Sequence, residues 1–473
     1  MLFSTILFLF RFLPITLLLY YISPPKMKNT TLFICSLVFY CWGEVKYFWI
    51  MAAVILINYI CGICIFRSNT LKMRRLFLVL SVVGSLSMLL YFKYTGFFLT
   101  NVNNLFGLNF SIPQWALPLG ISFYTFQSMS YTIDVYWKRV PSEKNIVNFG
   151  AYVVMFPQLI AGPIVRYKDV HEQLHVFKGR VTLDRIDQGI TLFIFGLAKK
   201  VLVADTINKL WTDIIGQYDG ITGELVTPGV GLENASTPLV WLGVLAYTIY
   251  IYFDFSGYSL MGIGMGKMLG FDFPDNFNLP YIARSITDFW RRWHISLSSW
   301  FKEYVYIPLG GNRKGLPRQM LNIFIVWLLT GFWHGANWNF ILWGLYYCAF
   351  LIIEKVFLLK HLEKSKVWSH FYTMLIVMVG WALFAGNDAG VTLPALFGKL
   401  FIPQGGVGAL YYARNYIGPL LIGILFSTTL PKKAWDRVGQ NVWVRGVCLG
   451  VLLTACIAYM VAGGFSPFLY FNF

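Results

Sequence analysis

Apolar runs recur along the whole chain, separated by short stretches that collect Lys, Arg, Asn, Gly and Pro. A helix needs about 20 mostly apolar residues to cross the hydrocarbon of a bilayer. The pattern predicts spans near residues 2–22, 31–42, 47–66, 76–99, 117–135, 190–210, 238–255, 321–333, 340–353, 371–384, 417–430 and 444–461. The first run has the length of a signal peptide but no basic leader and no small-residue cleavage site, so it is expected to remain as a span. The run 321–333 and the patch 152–164, which holds Pro157 and Pro163, read as re-entrant or broken helices. Such backbone survives at membrane depth only when buried in protein or lining a cavity, so a cavity within the helices is expected. Gly262, Gly266 and Gly270, four residues apart, read as a close-packing helix face. Asp254, an acid at the end of an apolar span, reads as a site residue or as a brace for the helix end.

Composition agrees with the pattern. Of 473 residues, 57% are hydrophobic and 12% charged, and the mean hydropathy is +0.61, far from the balance of soluble domains. The expectation is an all-α polytopic membrane protein forming one domain over residues 1–473, with no linker, repeat or low-complexity segment. Lys and Arg number 38 against 21 Asp and Glu, a net charge of +17. With so little soluble surface, that excess reads as cytoplasmic loops following the positive-inside rule, and not as a nucleic-acid site. Basic clusters at 67–75, 138–144, 166–185, 284–318, 355–366 and 431–437 are therefore placed in the cytoplasm. The loop 211–238 carries four acids and no base and is placed outside, with the loop 101–114 and the N-terminus. The seven cysteines all lie in apolar runs and read as small core residues, including Cys61 and Cys64 in their C-x-x-C spacing.

One stretch invites a specific chemistry. "HEQLH", His171 to His175, has the H-E-x-x-H spacing in which two imidazoles one helical turn apart hold Zn²⁺ and the glutamate activates its water. It sits between charged residues, outside every predicted span, and no second motif supplies a third ligand. It therefore reads as a polar amphipathic helix at the membrane face, and no metal site is expected.

The chain has only six histidines, and two stand in unusual company. His334, in "LLTGFWHGANWNFILWG", closes an apolar run after Trp333 and precedes Asn337. An ionisable group at membrane depth is a functional candidate, and imidazole suits general-base work near neutral pH. A brace for a helix break is the structural alternative. His294 lies in "RSITDFWRRWHISLSSWFKEYVYIPLGGNRKG". As a continuous helix over 285–300, that segment places Asp288 one turn before Arg291 and Arg292, and puts Arg291, His294 and Ser298 on one face. It leads into a glycine-rich basic loop whose Arg313 and Lys314 suit phosphates, although no Walker motif is present.

In order along the chain, "PLGISFYTFQSMSYTIDVY", "FPQLIAGPIVRY", "YFDFSGYS", "FPDNFNLPY", "DFWRRWHISLSSWFKEYVYIPLGG" and "TGFWHGANWNFILWG" resemble the membrane-bound O-acyltransferase family, and within it the bacterial alginate O-acetyltransferase branch. The resemblance runs from the first residues to the closing "SPFLYFNF". Two features depart from it: Leu260 stands where that branch is expected to carry an acid, and the His171/His175 pair has no counterpart. The resemblance implies about eleven transmembrane helices, some re-entrant or broken, around a central tunnel in a bacterial cytoplasmic membrane. It places the catalytic histidine at His334 and a second recurrent histidine at His294. It implies no bound cofactor but an acyl thioester substrate, acetyl-CoA or the phosphopantetheine of an acyl carrier, entering from the cytoplasm. The acyl group leaves to a hydroxyl outside, on a polysaccharide acceptor or through a separate extracytoplasmic acyltransferase. In that picture His334 is the general base. His294 and Asn337 orient the reactants or stabilise the oxyanion, and Trp333, Asp288, Arg291, Arg292, Arg313 and Lys314 bind donor or substrate.

Two alternatives stay open at this point. D-alanyl transfer towards teichoic acid from a carrier protein is a variant of the same chemistry. A transporter or flippase is expected to show intramembrane charges and inverted repeats, and neither is visible.

Overall fold

Backbone N–H and C=O groups have no water to bond at membrane depth, so the chain must satisfy them within helices. The computed structural model, which describes residues 1–113, 115–160, 162–176, 179–218, 225–386 and 392–463, is predominantly helical, with one short antiparallel pairing of Gln217–Tyr218 with Leu225–Thr227. Among the described residues, six helices are long and apolar enough to cross a membrane: Pro25–Arg67, Leu71–Phe106, Thr237–Leu269, Trp338–Leu362, Lys366–Ala385 and Val442–Val461. Phe8–Ile22 is a shorter apolar helix. This is an all-α, multi-pass membrane protein. The loop around Gly220 and the closing "SPFLYFNF" lie outside the described residues.

The chain gathers into two compact units, one of Met1–Phe193 with Ser259–Asp275, the other of Ile194–Tyr258 with Asn276–Phe473. In the first unit, helices Phe48–Arg67, Leu71–Phe106 and Ile121–Tyr136 pack against one another. They are tied by a buried polar cluster, in which Asn58 Nδ2 donates to Ser85 Oγ at 2.8 Å and Ser81 Oγ donates to Asn58 Oδ1 at 2.7 Å. The Thr132 hydroxyl lies 2.8 Å from that of Ser81. Apolar helices gain no hydrophobic drive from meeting in lipid, so such polar pairs and close packing take its place. The patch 152–164 is broken as expected: helix Ile146–Val154 stops at Met155 and a four-residue turn Phe156–Leu159 restarts at Pro157. Gly262 belongs to a close contact, since an added Cβ would lie 2.5 Å from the Pro157 carbonyl oxygen. Gly270, at φ +85° just past the helix, is also close-packed, against the Arg180 backbone, and Gly264 with Gly189 adds a further backbone approach, while Gly266 faces the Phe273 ring.

"HEQLH" does form a helix, Tyr167–His175, in this first unit. Both nitrogens of His175 are already engaged, Nδ1 donating to the His171 carbonyl at 2.8 Å and Nε2 lying 3.0 Å from Glu143 Oε2. Burial and the neighbouring His175 push the His171 imidazole below its ordinary range. His175 and Tyr167 anchor this helix to Glu143, the Tyr167 hydroxyl donating to it at 2.8 Å.

In the second unit, the run 321–333, expected to be re-entrant or broken, is not broken. It is the C-terminal part of an unbroken helix, Leu316–His334, that Pro317 starts and Gly335 ends. The longer helix arises because polar residues at its start, Gln319 and Asn322, find buried partners in Tyr306 Oη and the Gly311 carbonyl, both at 2.9 Å. It turns through residues 335–337 into Trp338–Ile353, and the two helices touch backbone to backbone: Cβ atoms added at Gly331 and Gly344 would lie 2.4 Å from Phe340 O and 2.5 Å from Trp327 O. Asp254 does not end a helix, since Thr237–Leu269 runs through it; it forms a buried ion pair instead. Its Oδ1 lies 2.7 Å from Lys200 Nζ, which also pairs with Asp205 at 2.6 Å beside a π-helical turn, Lys199–Ala204.

Candidate active site

All elements of the site belong to the second unit. Ser285 caps helix Ile286–Arg292, its Oγ accepting from the Asp288 N–H at 2.9 Å. The remaining N-terminal donors, which a short helix cannot satisfy internally, meet a fully buried carboxyl group: Glu354 accepts from Ile286 N at 2.6 Å, Thr287 N at 2.9 Å and Thr287 Oγ1 at 2.7 Å.

The continuous helix expected over 285–300 is broken. It stops at Arg292 and restarts at Ile295, with His294 between them in the left-handed region at φ 44°. The break has a local cause, because the extended segment before it replaces the missing helical bonds. Asn278 N donates to Arg292 O at 2.9 Å and Ile295 N to Asn276 O at 3.0 Å. Asn276 Oδ1 accepts from Ser296 N at 3.2 Å and Ser296 Oγ at 2.9 Å, and lies 3.0 Å from His294 Nδ1. A non-glycine residue held in that backbone region costs of order 1–3 kcal/mol and persists only where its surroundings fix it.

His294 and His334 line one cavity of about 230 Å³. Both are buried, with 1% and 4% of their surface exposed. An aromatic wall holds them: Trp333 stands 6.1 Å from the His294 ring and 5.0 Å from the His334 ring, and Phe255 meets His294 edge-on at 4.7 Å. Trp343 and Phe384 meet the His334 ring at 4.9 and 5.4 Å. Ser298 and Thr330 add hydroxyls to the lining, and two exposed cations, Arg291 and Lys302, complete it. The cavity thus runs from solvent-facing positive charge to two enclosed imidazoles, an arrangement able to bind an anionic molecule and act on its far end.

Of the other sequence-predicted residues, Arg291 and Ser298 join this lining and the rest lie outside it. Arg291, His294 and Ser298 do meet in the lining, although on two helices and not one. Asp288 pairs with Arg292 Nε at 3.1 Å, and Arg292 Nη1 reaches Asn278 O at 3.2 Å, so this pair braces the break. Asn337 caps helix Trp338–Ile353, accepting from Asn339 N at 3.3 Å. Arg313 and Lys314 are exposed in a turn, away from the lining. That turn is shaped by Gly310, Gly311 and Gly315, each at positive φ. Sequence reasoning missed Asn276, Lys302 and Glu354. The signal for Glu354 was present, since it is a lone acid ending the apolar run "FLIIEKVF", and the rule that singled out His334 applies to it equally.

A model of the membrane-bound O-acyltransferase family matches residues 234–386, which include both buried histidines. The chain is 38% identical to the probable alginate O-acetylase AlgI of Pseudomonas putida over 505 aligned residues, covering all of both proteins. It is 32% identical to the peptidoglycan O-acetyltransferase of Helicobacter pylori, over the full chain and 98% of that protein. Identity to the teichoic acid D-alanyltransferase of Bacillus subtilis is 27%, over 57% of the chain and 69% of that protein.

Proposed function

Since the chain belongs to the membrane-bound O-acyltransferase family and is an O-acyltransferase, we propose that it transfers an acetyl group from a cytoplasmic thioester to a hydroxyl of a cell-surface polysaccharide. The observation that carries this reading is the single cavity shared by His294 and His334, with Arg291 and Lys302 at its exposed part. A thioester donor on a phosphopantetheine arm, free as acetyl-CoA or held by a carrier, brings phosphate to those cations while its acyl end reaches the imidazoles. The reaction needs no resident cofactor.

His334 acts as the general base. The acceptor hydroxyl attacks the thioester carbonyl carbon as its proton passes to the imidazole, the tetrahedral intermediate expels thiolate, and the thiolate takes up the proton. His334 closes its helix, and the negative end of the helix dipole stabilises the positive charge that develops on the ring during this transfer. Trp290, Leu297, Phe301 and Trp327 make the lining largely apolar, which limits water beside the thioester and its hydrolysis.

Two full-length relatives named as acetylases favour acetyl as the acyl group and polysaccharide as the acceptor. The D-alanyltransferase relative covers little more than half of the chain, and D-alanyl transfer is the second reading. The excess of basic residues supports a donor side in the cytoplasm; in this reading the protein sits in a bacterial inner membrane and an extracytoplasmic transferase or the polymer itself is the receiver. The test is the acylation state of the polymer in cells carrying H334A. Membrane-inserted variant with unacylated polymer is expected, and wild-type acylation overturns the reading.

A further inference from the structure

Asn276 stands in the short extended segment between two helices, fully buried, and touches the active-site break at three points. Its side chain has an oxygen and an amino group, and only one of them can face His294. The Ser296 backbone N–H is purely a donor, so the atom 3.2 Å from it must be the oxygen. The same oxygen faces His294 Nδ1 at 3.0 Å, and a bond between the two requires the proton on Nδ1. Nε2 of His294 is then the lone-pair nitrogen. It is buried and has no hydrogen-bond partner among the described residues, although buried polar atoms are paired in the great majority of cases.

We propose that Asn276 is a positioning residue that locks His294 in its Nδ1–H tautomer, leaving Nε2 as a hydrogen-bond acceptor for an O–H or N–H group of the bound substrate. The proposal rests on the reading of this cavity as the acyl-transfer site. It also changes the part His294 can take. A neutral ring whose Nε2 carries a lone pair cannot donate to an oxyanion there, so His294 orients a substrate group and leaves oxyanion stabilisation to other donors. Two groups carry the required chemistry: a hydroxyl of the acceptor, and an amide N–H on the donor's arm next to the thioester.

The experiment has a spectroscopic and a kinetic arm. Protein labelled with ¹⁵N-histidine is reconstituted in lipid nanodiscs, and the His294 signal is assigned by its loss in H294Q. The wild type is expected to show a protonated Nδ1 and an unprotonated Nε2. N276D retains an oxygen acceptor for both Ser296 N–H and Nδ1–H and keeps this tautomer, whereas N276L loses it. A wild-type His294 protonated on Nε2, or an unchanged tautomer in N276L, overturns the proposal. In acyl transfer, N276L is expected to lose about 10- to 100-fold, by analogy with the loss of outer partners of metal-bound histidines, with substantial rescue in N276D. A raised KM for the acceptor assigns the Nε2 contact to its hydroxyl, and a raised KM for the thioester assigns it to the donor's amide. The tautomer signal does not depend on turnover, so loss of the acyltransferase reading through an active H334A leaves this test standing, and the reverse also holds.

Discussion

At the scale of single residues, the chemistry of the cavity depends on which polar groups the fold encloses and what each is bonded to. His334 and His294 share a cavity, while Glu354 has both carboxyl oxygens occupied by the start of the helix that leads to His294. Changing Glu354 to Ala leaves two backbone N–H groups and a hydroxyl without acceptors. Each such group costs about 1–3 kcal/mol when buried unpaired, so E354A is expected to lower the unfolding midpoint in detergent by several degrees and to lower activity with it. An unchanged midpoint removes Glu354 from its bracing role. His171 and His175 bond within the first unit, and H171A with H175A should leave transfer within about twofold of wild type in the same assay. The sequence made the two buried histidines legible because imidazole is rare among apolar runs. Asn276 stayed hidden because its role is fixed by Ser296 and His294, 20 and 18 positions away, and no local pattern encodes that meeting.

At the scale of elements, apolar periodicity gave the helices but not their joints. The break at His294 was missed because it is imposed by bonds from Asn276 and Asn278 in a neighbouring segment, whereas the break at Pro157 announces itself through a missing N–H. The hairpin of Leu316–His334 and Trp338–Ile353 depends on Gly331 and Gly344, where an added Cβ meets backbone. G331V is expected to force the helices apart, displace His334 at the hairpin's end and cost about 1–3 kcal/mol or more. Thermal unfolding, together with loss of transfer, checks this, and a stable active G331V contradicts it. The broken segment also brings Arg291 and Lys302 to one cavity from two sides of the break. Their combined charge reversal should raise the donor KM at least tenfold with little change in kcat, since these groups bind the donor and the transition state alike. Reversal at Arg313 and Lys314, outside the lining, should do so less. Equal effects of the two pairs would place the donor's phosphates at the glycine-rich turn.

At the scale of the whole molecule, the composition and the repeated apolar runs already declared a multi-pass helical membrane protein, and the ordered aromatic motifs pointed to its family. The excess of Lys and Arg supports a cytoplasmic position for the basic loops, among them the turn that holds Asn312. An impermeant thiol reagent added outside should leave a cysteine placed at Asn312 unlabelled, and labelling there would invert the donor's side. In the proposed reaction, the cavity holding His334 cleaves a thioester and hands its acyl group to a hydroxyl. The most direct measurement supplies ¹⁴C-acetyl thioester to purified protein in proteoliposomes, with the hydroxyl acceptor or acceptor transferase present, and follows both thiol release and label on the acceptor. Wild type is expected to release thiol and label acceptor in equal amounts, and H334A, equally folded, to do neither. Intact thioester or intact polymer crossing the bilayer with no thiol released, or H334A matching wild type, would contradict it.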